Sequence, residues 1–127
     1  MRPRIEQLVT TWSPLCTAEI SVAILGGAWK PSILTLLNTH RVLRFGELSR
    51  HLGNCTARVL TRQLRELEID GLVVRTVYAE VPPKVEYSLS ALGEEVQPLI
   101  GELARWGTAY IQQERESNET DAESRAG

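Results

Sequence analysis

The sequence predicts a mainly α-helical domain that carries one small β-hairpin. Three observations lead there. First, Leu60, Leu64 and Leu67 recur at i, i+4 and i+7, which is one apolar stripe of a helix, while Arg58, Thr61, Arg62 and Arg65 fall on its other side. Second, two strand-like runs follow, Leu72 to Tyr78 and Lys84 to Leu89, rich in β-branched and alternating residues. Pro82-Pro83 between them cannot donate to a sheet ladder and marks a loop. Third, 127 residues with 43% hydrophobic and 24% charged content suffice for one domain with a real core, and not for two.

The elements can be justified in order. Ile5, Leu8, Val9 and Trp12 are spaced as a short amphipathic helix ending before Pro14. Thr17 to Leu25 reads as a second helix, closed by Gly26-Gly27. Trp29-Lys30-Pro31 opens a third, with Pro31 near its first position and Ile33, Leu34, Leu36 and Leu37 as core. A polar connection follows, touching a small strand around Leu43. Phe45 to Leu52 is a short helix, and Gly53, Asn54 and Cys55 lead tightly to Thr56, an N-cap for the next. Gly71 stops that helix because glycine tolerates the left-handed turn. Two short helices so joined form a helix-turn-helix, and the hairpin after them makes it winged. Ser90 caps a long helix from Ala91 to about Gln113, bent at Pro98. The winged domain with its terminal helices is thus expected over residues 1–113. Residues 114–127, polar and acidic, are expected to be a disordered tail.

Composition excludes several classes. No apolar run approaches the ~20 residues of a membrane span, no secretion signal is legible, and two cysteines make no disulfide framework, so a cytoplasmic protein is expected. The formal net charge of −2 argues against a polyanion partner only at first sight. From His40 to Leu89 the bases Arg41, Arg44, Arg50, Arg58, Arg62, Arg65, Arg75 and Lys84 outnumber the acids Glu47, Glu66, Glu68, Asp70, Glu80 and Glu86. The last stretch of the chain carries Glu114, Glu116, Glu119, Asp121 and Glu123 against Arg115 and Arg125. Local field decides polyanion binding more than net charge.

Five motifs carry a resemblance. They are Gly26-Gly27-x-Trp29-Lys30, Arg44-Phe45-x-Glu47-Leu48, Leu60-Thr61-x-Gln63-Leu64-Arg65-Glu66-Leu67, Asp70-Gly71-Leu72-Val73-x-Arg75 and Val81-Pro82-Pro83-x-Val85-Glu86-Tyr87-Ser88-Leu89. From Cys16 to about Tyr110 the chain resembles the HxlR family of bacterial winged-helix regulators. The resemblance implies a homodimer on operator DNA, with the terminal helices as the interface. It also implies a cysteine near position 16 that some members use as a thiol sensor. Thr17 stands where a proline commonly follows that cysteine, and Ala28 where the Gly-Gly run commonly has Lys.

Within that frame Thr56, Arg58, Val59, Thr61, Arg62 and Gln63 are the base-contact candidates. Arginine can pair with guanine, glutamine with adenine, and apolar groups with the thymine methyl. Arg44, Arg50, Arg65, Arg75 and Lys84 are candidates for the DNA backbone or the wing, with an internal ion pair to Glu66 or Glu68 the alternative for Arg65. Two recognition helices of a dimer would address major grooves ~34–36 Å apart on a pseudo-palindromic site, and repression follows more simply than activation from steric logic. Leu8, Trp12, Leu99, Leu103, Trp106 and Tyr110 are the dimer-interface candidates. Cys16 is the candidate redox switch, by oxidation or electrophile modification, against the bland reading of a small packed hydrophobe. Cys55, before the N-cap, reads as a staple onto Leu60, and a Cys16–Cys55 disulfide is left open. His40, His51, Cys16 and Cys55 match no closed zinc spacing, so no metal or cofactor is expected. The rival readings are a winged-helix protein-interaction module that never touches DNA and a regulator switched by a small-molecule ligand at the dimer interface. An enzyme is not expected, because no acid, base and nucleophile converge.

Overall fold

The computed structural model describes residues 1–11 and 17–126. Trp12 and Cys16, two of the residues singled out above, lie outside them. The chain divides into two units, Met1–Gln97 and Pro98–Gly127.

In the first unit the elements run α1 (Pro3–Thr10), α2 (Thr17–Leu25), α3 (Lys30–His40), β1 (Val42–Leu43), α4 (Phe45–Leu52), α5 (Ala57–Ile69), β2 (Val73–Tyr78), β3 (Lys84–Leu89) and α6 (Ala91–Glu95). The helix-turn-helix is α4 and α5, and the hairpin β2–β3 is the wing. β3 is the central strand, paired antiparallel to both β2 and β1. Tyr87 therefore lies opposite Arg75 on one side and Leu43 on the other. The fold class agrees with the expectation of a winged helix-turn-helix, including the small strand at Leu43.

Apolar stripes from several elements meet in one core. Ile33, Leu34 and Leu37 of α3, Leu48 of α4, and Leu60, Leu64 and Leu67 of α5 are all essentially without solvent contact, with Leu43, Leu72 and Val73 beside them. Thr56 caps α5 as expected, its hydroxyl accepting from the Val59 N–H at 3.2 Å. Gly71, at φ +87°, ends that helix in the left-handed region. Cys55 and Leu60 are both buried, in keeping with a staple at the helix start. At the far end of the wing Val81 is fully exposed.

A charged cluster is set into this core. Lys30 is completely buried, and its Nζ lies 2.6 Å from Glu66 Oε2. Arg2, just before α1, reaches the same carboxylate at 2.9 Å and Asp70 at 2.7 Å, and donates to the Ala23 carbonyl. The four residues join the start of α1, the end of α2, the start of α3 and the last turns of α5. The sequence signal for Lys30 was its position: Ile33, Leu34 and Leu37 stand at i+3, i+4 and i+7 from it, so it begins the apolar stripe of α3.

Two expectations are corrected at the C-terminal end. The single helix from Ala91 with a bend at Pro98 is instead two helices, α6 and α7 (Gln97–Ala126), that break at Val96. The restart places Pro98 in the first turn of α7, where a missing N–H costs nothing. Nor does the helix end near Gln113. It continues to Ala126, through the segment expected to be disordered. Residues 114–126 hold no Gly or Pro and are rich in Glu, with Arg and Ala, which favour helix. The second unit is nearly all of α7. Leu99, Leu103, Trp106 and Tyr110 are exposed on it at i, i+4, i+7 and i+11, and the last two rings stack 5.6 Å apart.

The buried cluster makes a directional prediction. Glu66→Ala leaves the Lys30 ammonium buried beside no carboxylate and should lower stability by about 3 kcal/mol in urea unfolding. Lys30→Met should cost clearly less, because Arg2 still pairs with Glu66.

Candidate nucleic-acid interface

An amphipathic helix with one apolar stripe turns its remaining residues to water, and on α5 those residues are basic. Arg58, Thr61, Arg62 and Arg65 are exposed, as the spacing predicts. Thr56 is exposed at the helix start, and Val59 is half-buried beside it. The Thr61 hydroxyl donates back to the Ala57 carbonyl at 2.7 Å, which leaves its oxygen free to accept. Arg44 is exposed at the N-cap of α4, Arg50 on α4 itself, and Arg75 on β2. The Glu47 carboxylate accepts from the Arg44 backbone N–H at 3.0 Å and so caps α4.

Gln63 is not on this surface, and its assignment as a base-contact candidate is corrected. Its side chain is buried, and its Oε1 accepts from the backbone N–H of Trp29 at 3.0 Å. A Cβ on Gly27, which has φ +154°, would approach the Gln63 amide to 3.1 Å, so the glycine lets the α2–α3 connection lie against it. Gln63 follows Leu60 by three residues and precedes Leu67 by four. That places it inside the apolar stripe, a signal the sequence already held.

The remaining cations divide by whether they are already engaged. Arg2 and Lys30 belong to the core cluster. Lys84, a wing candidate, lies 3.1 Å from Glu86 and 4.8 Å from the centre of the Tyr78 ring, and the Tyr78 hydroxyl also reaches Glu86. The alternative of an internal ion pair for Arg65 is not realised. Among the described residues Arg58, Arg62, Arg65 and Arg75 form no salt bridge. The same holds of Arg44 and Arg50, and a cation without an internal anion can take an outside anion without first losing a partner, which sets all six apart from Lys84.

The wing acid is electrostatically tied. The Lys84 ammonium, hydrogen-bonded to Glu86, holds its carboxyl below the ordinary 4.5. Partial desolvation opposes this, while the charge of Lys84, the Tyr78 hydroxyl and Arg44 reinforce it. No group of three or more possible ligands for a metal ion forms among the described residues. His40 and His51 do approach, with ring centroids 4.8 Å apart, but Cys55 is buried.

Comparison with known proteins agrees with this geometry. A model described as "HxlR-like helix-turn-helix" matches residues 24–115. The chain is 45% identical over 105 residues to an uncharacterized HTH-type transcriptional regulator of Methanothermobacter thermautotrophicus, covering 83% of this chain and 79% of that one. Among solved structures it is similar to the redox regulator HypR in its oxidized form, at 41% identity and TM-score 0.68, covering 74% of this chain and 96% of the other. It is also similar to diamide-treated YodB of Bacillus subtilis, at 28% identity and TM-score 0.65, covering 79% and 96%.

Two measurements follow from the side-chain placements. Gln63→Ala should lower stability by about 1 to 3 kcal/mol, since it strands the Trp29 N–H, with the arginine face unchanged. A carboxyl lowered on folding adds stability that is full above its unfolded value of 4.5 and is lost as pH falls through the lower folded value. The stability difference between wild type and Glu86→Gln, followed by chemical unfolding, should therefore shrink as pH drops from neutrality to below 4.5.

Proposed function

Because the chain belongs to the HxlR-like helix-turn-helix family and is a transcriptional regulator of the helix-turn-helix type, we propose that it binds a pseudo-palindromic operator as a homodimer and represses by occupying it. The observation that carries this reading is the exposed, unpaired arginine face of α5 beside the wing. In a helix-turn-helix the second helix enters the major groove with its N-terminal residues at the bases. Arg58 and Arg62, with Thr56, Val59 and Thr61, are the base readers in this reading, and Arg44, Arg50, Arg65 and Arg75 hold the backbone. Lys84 would join only by leaving Glu86.

Dimerisation is supported by the stripe Leu99, Leu103, Trp106 and Tyr110. It is continuous, apolar and exposed along α7, more than solvation alone favours. Leu8 and Trp12 of the N-terminal segment are proposed as further dimer-interface residues.

The proposed signal is oxidation or electrophilic modification of Cys16. Two of the similar solved structures are a regulator in its oxidized form and one treated with diamide. Of the two cysteines here, Cys55 is buried, which leaves Cys16 as the thiol for that role.

The experiment is DNA binding to fragments from the protein's own upstream region, across a salt series, reduced and then oxidised. Specific, salt-steep binding is expected. Arg58→Ala and Arg62→Ala should each cost roughly 1–3 kcal/mol and relax preference at one position. Oxidation should weaken binding in wild type and leave Cys16→Ser unaffected. Binding indifferent to oxidation would discard the switch and turn the search to a small-molecule effector. Failure on this and on a random DNA library would favour a protein-interaction module.

A further inference from the structure

A groove of about 560 Å³ lies between the C-terminal half of α5 and the sheet, lined by Thr61, Arg65, Glu68, Ile69, Arg75 and Tyr87. Thr61 and Arg65 are one helical turn apart on α5. Arg75 and Tyr87 are directly opposite each other in the β2–β3 register. The groove thus has an arginine from the helix and one from the wing among its walls. Neither has an internal anion among the described residues, although Glu68 lines the same walls. Arginine forks match phosphate oxygens bidentately. The single Thr61 O–H is already donated to the Ala57 carbonyl, so the two arginines supply the donors for an anion here.

We propose that this groove is a phosphate cradle in which Arg65 and Arg75 together grip one phosphodiester of the DNA backbone, tying helix and wing to the same strand. As to the source of the phosphate, this rests on the DNA-binding reading. The chemistry itself is that of a phosphate oxyanion, and a soluble phosphomonoester would satisfy the same two forks. Glu68 leaves the groove one net positive charge and weakens its hold on any polyanion.

The test uses the full chain, a mixed-sequence duplex of about two helical turns, and inorganic phosphate. Arg65→Ala and Arg75→Ala should each weaken duplex binding about tenfold, equally for all sequences, and lower the salt slope by about one. The double variant should be little worse than either single one, because one phosphate is shared. Glu68→Gln should tighten binding about threefold. Arg65→Lys and Arg75→Lys keep the charge, lose the fork and should fall between, and thermal unfolding checks that each variant is folded. Additive losses with a slope change of about two would overturn the shared cradle, as would single variants indistinguishable from wild type while Arg58→Ala still weakens binding. If wild type binds no duplex at all, the DNA reading falls separately. Inorganic phosphate shifting the Arg65 and Arg75 side-chain resonances together would then assign the cradle to a soluble phosphate, and no shift would overturn it.

Discussion

The buried contact between the Lys30 ammonium and the Glu66 carboxylate fixes how α5 is turned. A fully buried cation must keep an anion beside it. With Glu66 drawn to α3, and Asp70 one turn on drawn to Arg2, α5 has one rotation about its axis that satisfies both. Gln63 adds a neutral pin on the same flank by accepting from Trp29. Adjacent residues on a helix differ by about 100°, so these three inward anchors leave Arg58, Arg62 and Arg65 outward. The polar core thus specifies orientation, while the leucines supply most of the burial.

The outline of the fold was legible because its signals are local. Thr56 caps, Gly71 stops, and the alternation of Val85, Tyr87 and Leu89 marks β3 to the residue. The inward polar residues were harder, since Lys30 and Gln63 look like surface by residue type and like core only by position in the stripe. Their partners, Glu66 and the Trp29 N–H, are more than thirty residues away in the chain. The division of α6 from α7 turned on one proline whose nearest low-cost position is a helix start. Of the interface, the arginine face could be read from spacing, but the engagement of Lys84 with Glu86 and the placement of Arg65 and Arg75 along one groove needed the folded chain.

Net charge proves a poor guide here for a structural reason. Several acids of the first unit are spent internally. Glu66 and Asp70 neutralise Arg2 and Lys30, Glu86 holds Lys84, and Glu47 caps α4. Arginines free of salt bridges among the described residues include Arg44 and Arg50 at α4, Arg58, Arg62 and Arg65 on α5 and Arg75 on β2, and a further group of acids is carried by α7. A chain of net charge −2 can therefore present a cationic surface where its helix-turn-helix is exposed.

The wing is anchored at one end and loose at the other. β3 is locked on both sides near Tyr87, whereas the turn around Val81 touches nothing that holds the core. Residues there carry almost no stability, so substitutions and insertions at the tip are nearly free of folding cost. Lineages descended from such a scaffold can vary the length and charge of that turn while the anchored strand stays constant. Related regulators could in this way diverge in which sites they occupy without ever renegotiating how they fold.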